Sequence, residues 1–471
     1  TQKVLRTKDR GITFEEISPD LTKNEKDKQR SNGGPITAEN VGAEFYGNVF
    51  TITSSPHAYG ELWVGSDDGL VHVTRNDGES WDNVTPGNLG GAMINAIDVS
   101  PHEPGTAYVA VAGYKMNDFR PHIYKLTDYG KRSKKLDGDL PKDSFIRVVR
   151  EDPERKGLLY AGGEKAMYVS FDDGAHWQSL QLNLPPVPIT DLAIRHDTLV
   201  AATQGRAFWA LDDLFVVRDA GGVPEPGGLR LFVPERVEML RNPGKAGDFE
   251  GENPARGVPL YYRLAQTPEG PILIEILDEG GNTVRSYSSE ETDFDRCRVA
   301  NMDPRHPFEL EFPPVEPGLN QWVWDFRRDG VHCIEDVKIF AGFGGATVPP
   351  ARYRARITAA GESREAAFTL VHDARLTATR QEFAEWSARV DEAEALLDTV
   401  LRHLERARRA RSEVESLMAD HPESADLQEA GHAAVEALTA WDHQIDQPLH
   451  ETYEDEDAWP TMLAGQVRFL L

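Results

Sequence analysis

SFDDGAHW, residues 170–177, places two aspartates, a glycine and a tryptophan directly after the apolar run Met167, Tyr168, Val169. Such a stretch reads as a metal or catalytic loop or as a tight turn, and its recurrence decides between them. TRNDGESW (74–81) and TKDRGITF (7–14) repeat a hydroxyl residue, Asp or Asn, Gly and an aromatic at fixed offsets. LTDYGKRS (126–133) keeps Asp128 and Gly130 and loses the aromatic. The steps between Gly11, Gly78, Gly130 and Gly174 are 67, 52 and 44 residues, the later ones near the period of a four-stranded propeller blade. Copies after the first each follow three β-rich runs: NVFTITSSP, ELWVGS, LVHVT; then AIDVSP, TAYVAVAG, HIYKL; then FIRVVREDP, LLYAGG, AMYVSF. The order is strand A, B, C, the Asp turn, strand D. A last set, DLAIRHD, TLVAATQ and AFWALDDL, gives three strands and no Asp turn.

This pattern resembles the Asp-box, or bacterial neuraminidase repeat, of sialidases, sortilin-like receptors and several glycoside hydrolases. The phrases GGPIT, ELWVGSDDGLVHVTRNDGESWDNVTP, PHEPGTAYVAV, DFRPHIYK, VVREDPERKGLLYAGG, SFDDGAHWQSLQLNLP and QGRAFWALDDL resemble a large bacterial family labelled glycosyl hydrolase with such repeats, or sortilin-like propeller protein. The likeness is strong over 1–215 and weaker beyond. It implies that each turn joins strands C and D, the aspartate accepting backbone hydrogen bonds and the aromatic packing between blades, which is ordinary Asx chemistry. Asp9, Gly11, Asp77, Gly78, Trp81, Asp128, Gly130, Asp172, Gly174 and Trp177 are then structural. Residues 1–18 supply only a C–D hairpin, and the blades after it are too few for a seven- or eight-bladed ring. Further blades from an upstream segment or another chain are expected, in an extracellular or periplasmic protein.

Acidic residues number 78 against 51 Lys plus Arg, a net charge of −27 without a long basic block. That balance argues against nucleic acid and anionic membrane as partners. The longest apolar stretches are strand-sized, short of the roughly 20 residues of a membrane helix. The beginning, TQKVLRTKDRG, has no apolar segment of signal-peptide type. Cys297 and Cys333 are the only cysteines, and their spacing leaves a disulfide open.

Beyond the propeller portion (1–215), RDAGGVPEPGG opens a linker assigned to 216–256. YYRLA, ILIEILD, TVRSYS, LNQWVWDF and ARYRARIT, separated by turns such as EGGN and EPG, mark an antiparallel sandwich over 257–374. GLNQWVWDFRRDG and PPARYRARITAAG resemble immunoglobulin-like or fibronectin-type modules. Trp322 and Trp324 share one face at period two and read as core. Over 375–471 the period becomes helical. Thr379 and Glu382 form a capping box, and Phe383, Trp386, Val390, Ala393, Leu397, Val400, Leu404 and Ala407 make one stripe. A second helix over 425–445 folds back after the break at His421 and Pro422. This hairpin packs on the rest or mediates an oligomer. The acidic run YEDEDA near the end reads as a solvated turn rather than a calcium site; calcium is the one ion left open, and no other metal or cofactor is expected.

A–B and C–D turns share one propeller face, and B–C and D–A loops share the other, where ligands are usually held. The B–C loops place there Asp67 and Asp68; Tyr114, Lys115, Asp118 and Arg120; Glu164 and Lys165; and Gln204 and Arg206. A glycosidase needs two carboxylates about 5 to 10 Å apart, so Asp68, Asp118 and Glu164 are the candidate acid and base. Compared with sialidases the arginines are too few. P-loop, G-x-S-x-G, HExxH and Cys-based zinc patterns are absent, and the scattered histidines, among them His57, His102, His122 and His176, read as incidental. The expectation is a mainly β protein that holds a protein, peptide or glycan on this face without catalysis. The alternatives are a glycoside hydrolase acting on extracellular polysaccharide and a sortilin-like peptide receptor.

Overall fold

The computed structural model describes residues 1–30, 46–87, 89–220, 228–239, 255–301, 309–337, 339, 342–449 and 459–471. They form two compact units, Thr1–Val223 and Pro224–Leu471. In the first, β1 (Leu5–Arg6) and β2 (Glu15–Glu16) make a hairpin. Three four-stranded antiparallel sheets come next. They are β3 (Val49–Ser54), β4 (Leu62–Ser66), β5 (Val71–Thr74), β6 (Asp82–Asn83); β7 (Met93–Val99), β8 (Ala107–Ala112), β9 (Ile123–Thr127), β10 (Arg132–Lys135); and β11 (Ile146–Glu151), β12 (Leu159–Gly163), β13 (Met167–Ser170), β14 (Gln178–Ser179). A three-stranded sheet, β15 (Ile189–Arg195), β16 (Thr198–Thr203) and β17 (Phe208–Leu211), precedes α1 (Leu214–Ala220). Strand A of each sheet packs on strand A of the next, β3 on β7, β7 on β11 and β11 on β15, so the sheets stack in chain order like propeller blades.

The Asp turns act both within a sheet and between sheets. In 170–177, Gly174 N donates to Ser170 Oγ at 2.9 Å and His176 N to Asp172 Oδ1 at 2.8 Å. In 7–14, Gly11 N donates to Thr7 Oγ1 and Thr13 N to Asp9 Oδ1, both at 2.8 Å. In 74–81 the side chain that closes the turn is Asn76, not Asp77: Ser80 N donates to Asn76 Oδ1 at 3.0 Å. The offset from Thr74 puts Asn76 at the place of Asp172, and the adjacent aspartate draws the sequence reading one position too far. In 126–133, Leu126 lacks the hydroxyl, Gly130 N turns to Thr127 O, and the Asp128 carboxylate meets Lys131 at 3.5 Å.

The residue after the turn-closing one is left-handed in each full sheet. Asp77, Tyr129 and Asp173 donate their N–H to the carbonyls of Gly60, Gly105 and Gly157 in the A–B turn, all at 2.9 Å. A Cβ on Gly105, at φ +70°, would lie 2.8 Å from the Tyr129 ring, so the link needs glycine there. Between sheets, Trp81 Nε1 donates to Ile17 O at 2.9 Å and Trp177 Nε1 to Leu136 O at 2.7 Å. A Cβ on Gly78, Gly130 or Gly174 would come within 2.4, 2.3 or 2.8 Å of Ile17, Val84 or Leu136. Those three residues each follow strand D of the preceding sheet. His57 and His102 add further ties, their Nε2 atoms meeting Ser100 O and Asp152 O of the next sheet.

In the second unit, β18 (Arg230–Phe232) and β19 (Arg236–Met239) lie inside the stretch read as a linker; RLF and RVEM are too short to show alternation. The strands β20 (Val258–Leu264), β21 (Leu273–Leu277) and β22 (Thr283–Ser288) precede α2 (Asp293–Ala300), and β23 (Gly318–Trp324), β24 (Arg352–Ala359) and β25 (Glu362–His372) come after it. They form two sheets, ordered β18-β20-β23 and β19-β25-β24-β21-β22, around one core containing Leu260, Tyr262, Ile274, Trp324 and Phe368. Every second residue of β24, Tyr353 to Ala359, is buried. Cys297 and Cys333 form a disulfide with Cα atoms 6.1 Å apart.

Then come α3 (Arg380–Asp420), α4 (Ala425–Ile445) and α5 (Leu463–Arg468). Thr379 and Glu382 cap α3 reciprocally. Val390, Leu397 and Leu404 of the stripe are buried, while Trp386 is exposed. α3 and α4 run antiparallel, and Arg408 binds the buried carboxylates of Asp442 and Asp446 at 2.9 and 2.7 Å. No helix among the described residues is long and apolar enough to cross a membrane. The acidic run at 453–458 lies outside the described residues.

Candidate functional site

Each strand A carries a register shift at one place, at Phe50, Asn95, Arg147 and Thr190. A bulge bends the strand and re-aims its extra side chain, here at the B–C and D–A end of every sheet. At the seam between the second and third four-stranded sheets this builds a cluster. Arg147 lies 5.0 Å over the Phe145 ring and 5.9 Å over the Tyr114 ring. Tyr114 stacks on Phe145 at 5.0 Å, and Phe119 tilts toward it at 6.5 Å. Tyr114 to Met116 form one turn of 3₁₀ helix closed by left-handed Asn117. That turn leaves Met116 55% and Phe119 48% exposed, beside exposed Lys115. Asn95 Nδ2 donates to Arg147 O, joining the two strands A.

The candidate carboxylates are all engaged. Asp68 is fully buried and accepts from Ser66 Oγ at 2.5 Å and Lys23 N at 2.7 Å. Asp67 accepts from Gly47 N and Asn48 N at 2.9 and 2.7 Å. Asp118 takes two bonds from Arg120 at 2.8 Å and meets His122 Nε2 at 3.0 Å. The Arg120 guanidinium, with His122, holds its carboxyl well below the usual carboxylate range. Glu164 accepts from Arg147 Nε at 2.8 Å, and Lys165 pairs with Asp143 at 2.8 Å. Arg206 and Gln204 are exposed in the last B–C loop, where Arg206 N donates to Thr203 Oγ1 at 3.1 Å. Tyr114, Asp118 and Arg120 thus share one loop, and Glu164 joins Tyr114 through Arg147.

Phe145 and Arg147 are functional candidates that sequence reasoning missed. They belong to a D–A loop and the first turn of strand A, whereas the sequence candidates all come from B–C loops. The period-two pattern fails at the bulge, so alternation alone would have misplaced Arg147. Among the described residues no group of three or more His, Cys, Asp or Glu side chains could hold a metal ion.

No protein-family model and no curated protein matches the chain. Among solved structures it is similar to the GH74 xyloglucanase from Xanthomonas campestris, at 13% identity over 77% of this chain and 74% of that one, with a TM-score of 0.33. It is also similar to YCF48 bound to D1 peptide, at 17% identity over 35% of this chain and 51% of that one, with a TM-score of 0.28. A third likeness is to an ancestral GH74 enzyme, at 15% identity over 52% of this chain and 33% of that one, again with a TM-score of 0.28. The chain therefore spans about half the length of YCF48 and a third of the ancestral enzyme.

Proposed function

We propose that the chain is a non-catalytic binding or assembly protein, an Asp-box propeller portion with an immunoglobulin-like sandwich and a helical hairpin, working outside the cytoplasm. The loop 113–122 and its neighbours hold a protein, peptide or glycan. One observation carries this reading: the carboxylates a hydrolase would need are tied up by partners, while the same face exposes apolar side chains. A general acid needs its pKa raised, and Asp118 is shifted the other way. Asp68 is buried beneath Ser66, and Glu164 is spent on Arg147. Met116 and Phe119, with exposed Lys115 in the same loop, offer the apolar and cationic chemistry that captures peptides. Phe50 and Ile52, each 52% exposed, and Phe208, 77% exposed, suit completion by further β-sheets. The C-terminal helices bear on oligomer formation through exposed Trp386 and Trp441.

The test offers the intact chain an immobilised peptide array, and separately xyloglucan with reducing-end detection. The expected outcome is peptide capture weakened about tenfold or more by Phe119→Ser, with no sugar released. Sugar release abolished by Asp118→Asn or Glu164→Gln would instead establish the hydrolase.

A further inference from the structure

The last sheet keeps the strand register and the A–B link of the repeat and lacks both the Asp turn and the clamp to a neighbour. Ala201 faces Trp209 across β16 and β17 as Ala161 faces Tyr168 across β12 and β13. Leu214 N donates to Asp197 O at 2.9 Å, as Asp173 N does to Gly157 O. In that register Leu211 stands where Ser170 stands, so the hydroxyl that closes the turn is missing and the chain enters α1 instead of a fourth strand. Among the described residues β17 is the edge of its sheet, and an edge strand is a template for another strand.

Beside this edge lies the receiving half of a clamp. Ile17 and Leu136, each the first residue after strand D, accept the indoles of Trp81 and Trp177. After β14 the same place belongs to Leu180, whose N–H donates to Met167 O at 2.9 Å as Leu136 N does to Ile123 O. Among the described residues no indole donates to Leu180, and Trp209 gives its Nε1 to Arg206 O. Met167, Leu180, Leu182, Leu199, Trp209 and Leu211 line an open groove there.

We infer that this groove and the β17 edge form a strand-addition site for an extended peptide in trans that carries a glycine and, three residues later, an aromatic. That is the spacing of Gly78 to Trp81 and of Gly174 to Trp177. The incoming strand pairs with β17, sets its glycine against Leu180 where a side chain would collide, and lays its aromatic ring in the groove. Main-chain hydrogen bonds supply affinity, and the glycine and ring supply selectivity. This deepens the binding-and-assembly reading, yet it uses a surface separate from the loop 113–122, so either site can fail without the other.

The experiment titrates intact protein into a fluorescein-labelled peptide SFDDGAHWQSL, the sequence of residues 170–180, and tracks anisotropy. Saturable binding is expected, weakened about tenfold or more when the peptide's tryptophan becomes alanine or its glycine valine. The protein variant Leu182→Glu changes a side chain 69% exposed; it should weaken binding similarly while the melting temperature and peptide-array capture stay unchanged. No binding at about 1 mM peptide, an affinity no better than about −4 kcal/mol, would overturn the proposal. So would binding indifferent to the glycine, the tryptophan and Leu182. Disulfide cross-linking between copies of Leu182→Cys without peptide binding would assign the groove to a second copy and equally overturn it.

Discussion

The sheet β11–β14 and the sheet β15–β17 share three strands in the same register and differ in the element after the third. In the first, Ser170, Asp172 and Gly174 close a turn and Trp177 reaches Leu136 of the preceding sheet. In the second, Leu211 leads into a helix. Burial changes accordingly: β12 and β13 are buried at every position, whereas β16 alternates and β17 exposes every second residue. An Asp turn here is a fastening between sheets, and its loss leaves a face and an edge open to something else.

The largest test of that contrast is truncation of the aromatic at each end of the repeat. Trp177→Ala should cost about 3–5 kcal/mol in denaturant unfolding, because it empties a buried site and removes a bond to Leu136 O. Phe14→Ala, at a ring 61% exposed, should fall within about 0.5 kcal/mol. Similar costs would mean that the first hairpin is also clamped. Glycine gives the next step. Gly174→Ala combines φ +77° with a Cβ 2.8 Å from Leu136 and should cost about 2–4 kcal/mol. Gly205→Ala, at φ +87° in open space, should cost about 1 kcal/mol.

A smaller contrast lies within the turns. Asp172→Ala removes the acceptor that closes the loop and should lower stability by about 1–2 kcal/mol. Asp77→Ala removes only a partly buried pairing with Arg6 and should cost less than Asp172→Ala. A last contrast is read in pH rather than by truncation and concerns Asp98, whose carboxyl burial raises to about 6, against roughly 3.9 when unfolded. Between those values the folded state holds more protons than the unfolded one. Its contribution is therefore complete below about pH 4 and lost as pH rises to about 6. Unfolding midpoints of Asp98→Asn should lose that slope.

Much of the fold was legible because the hydroxyl and Asp side chains act locally on their own turn and recur with a Gly and an aromatic at fixed offsets. The same locality misled at 74–81, where Asp77 looks like the working carboxylate beside Asn76. The partner strands β18 and β19 were hidden because short segments carry no period. Of the candidate site, the sequence named the 114–120 loop and not the residues stacked against it. Asp118 with Arg120 and Tyr114 were in view, but the stack on Phe145 and Arg147 depends on a bulge that no sequence period encodes.

Hydrogen exchange compares the two sheets most directly, through the amides of β13, Met167–Ser170, and β17, Phe208–Leu211. Among the described residues strand β13 is paired on both sides and β17 on one, and exchange tracks local opening. The account predicts slow exchange in β13 and exchange in β17 faster by orders of magnitude. Equal protection of the two strands would mean that the β17 edge is already covered, and would contradict it.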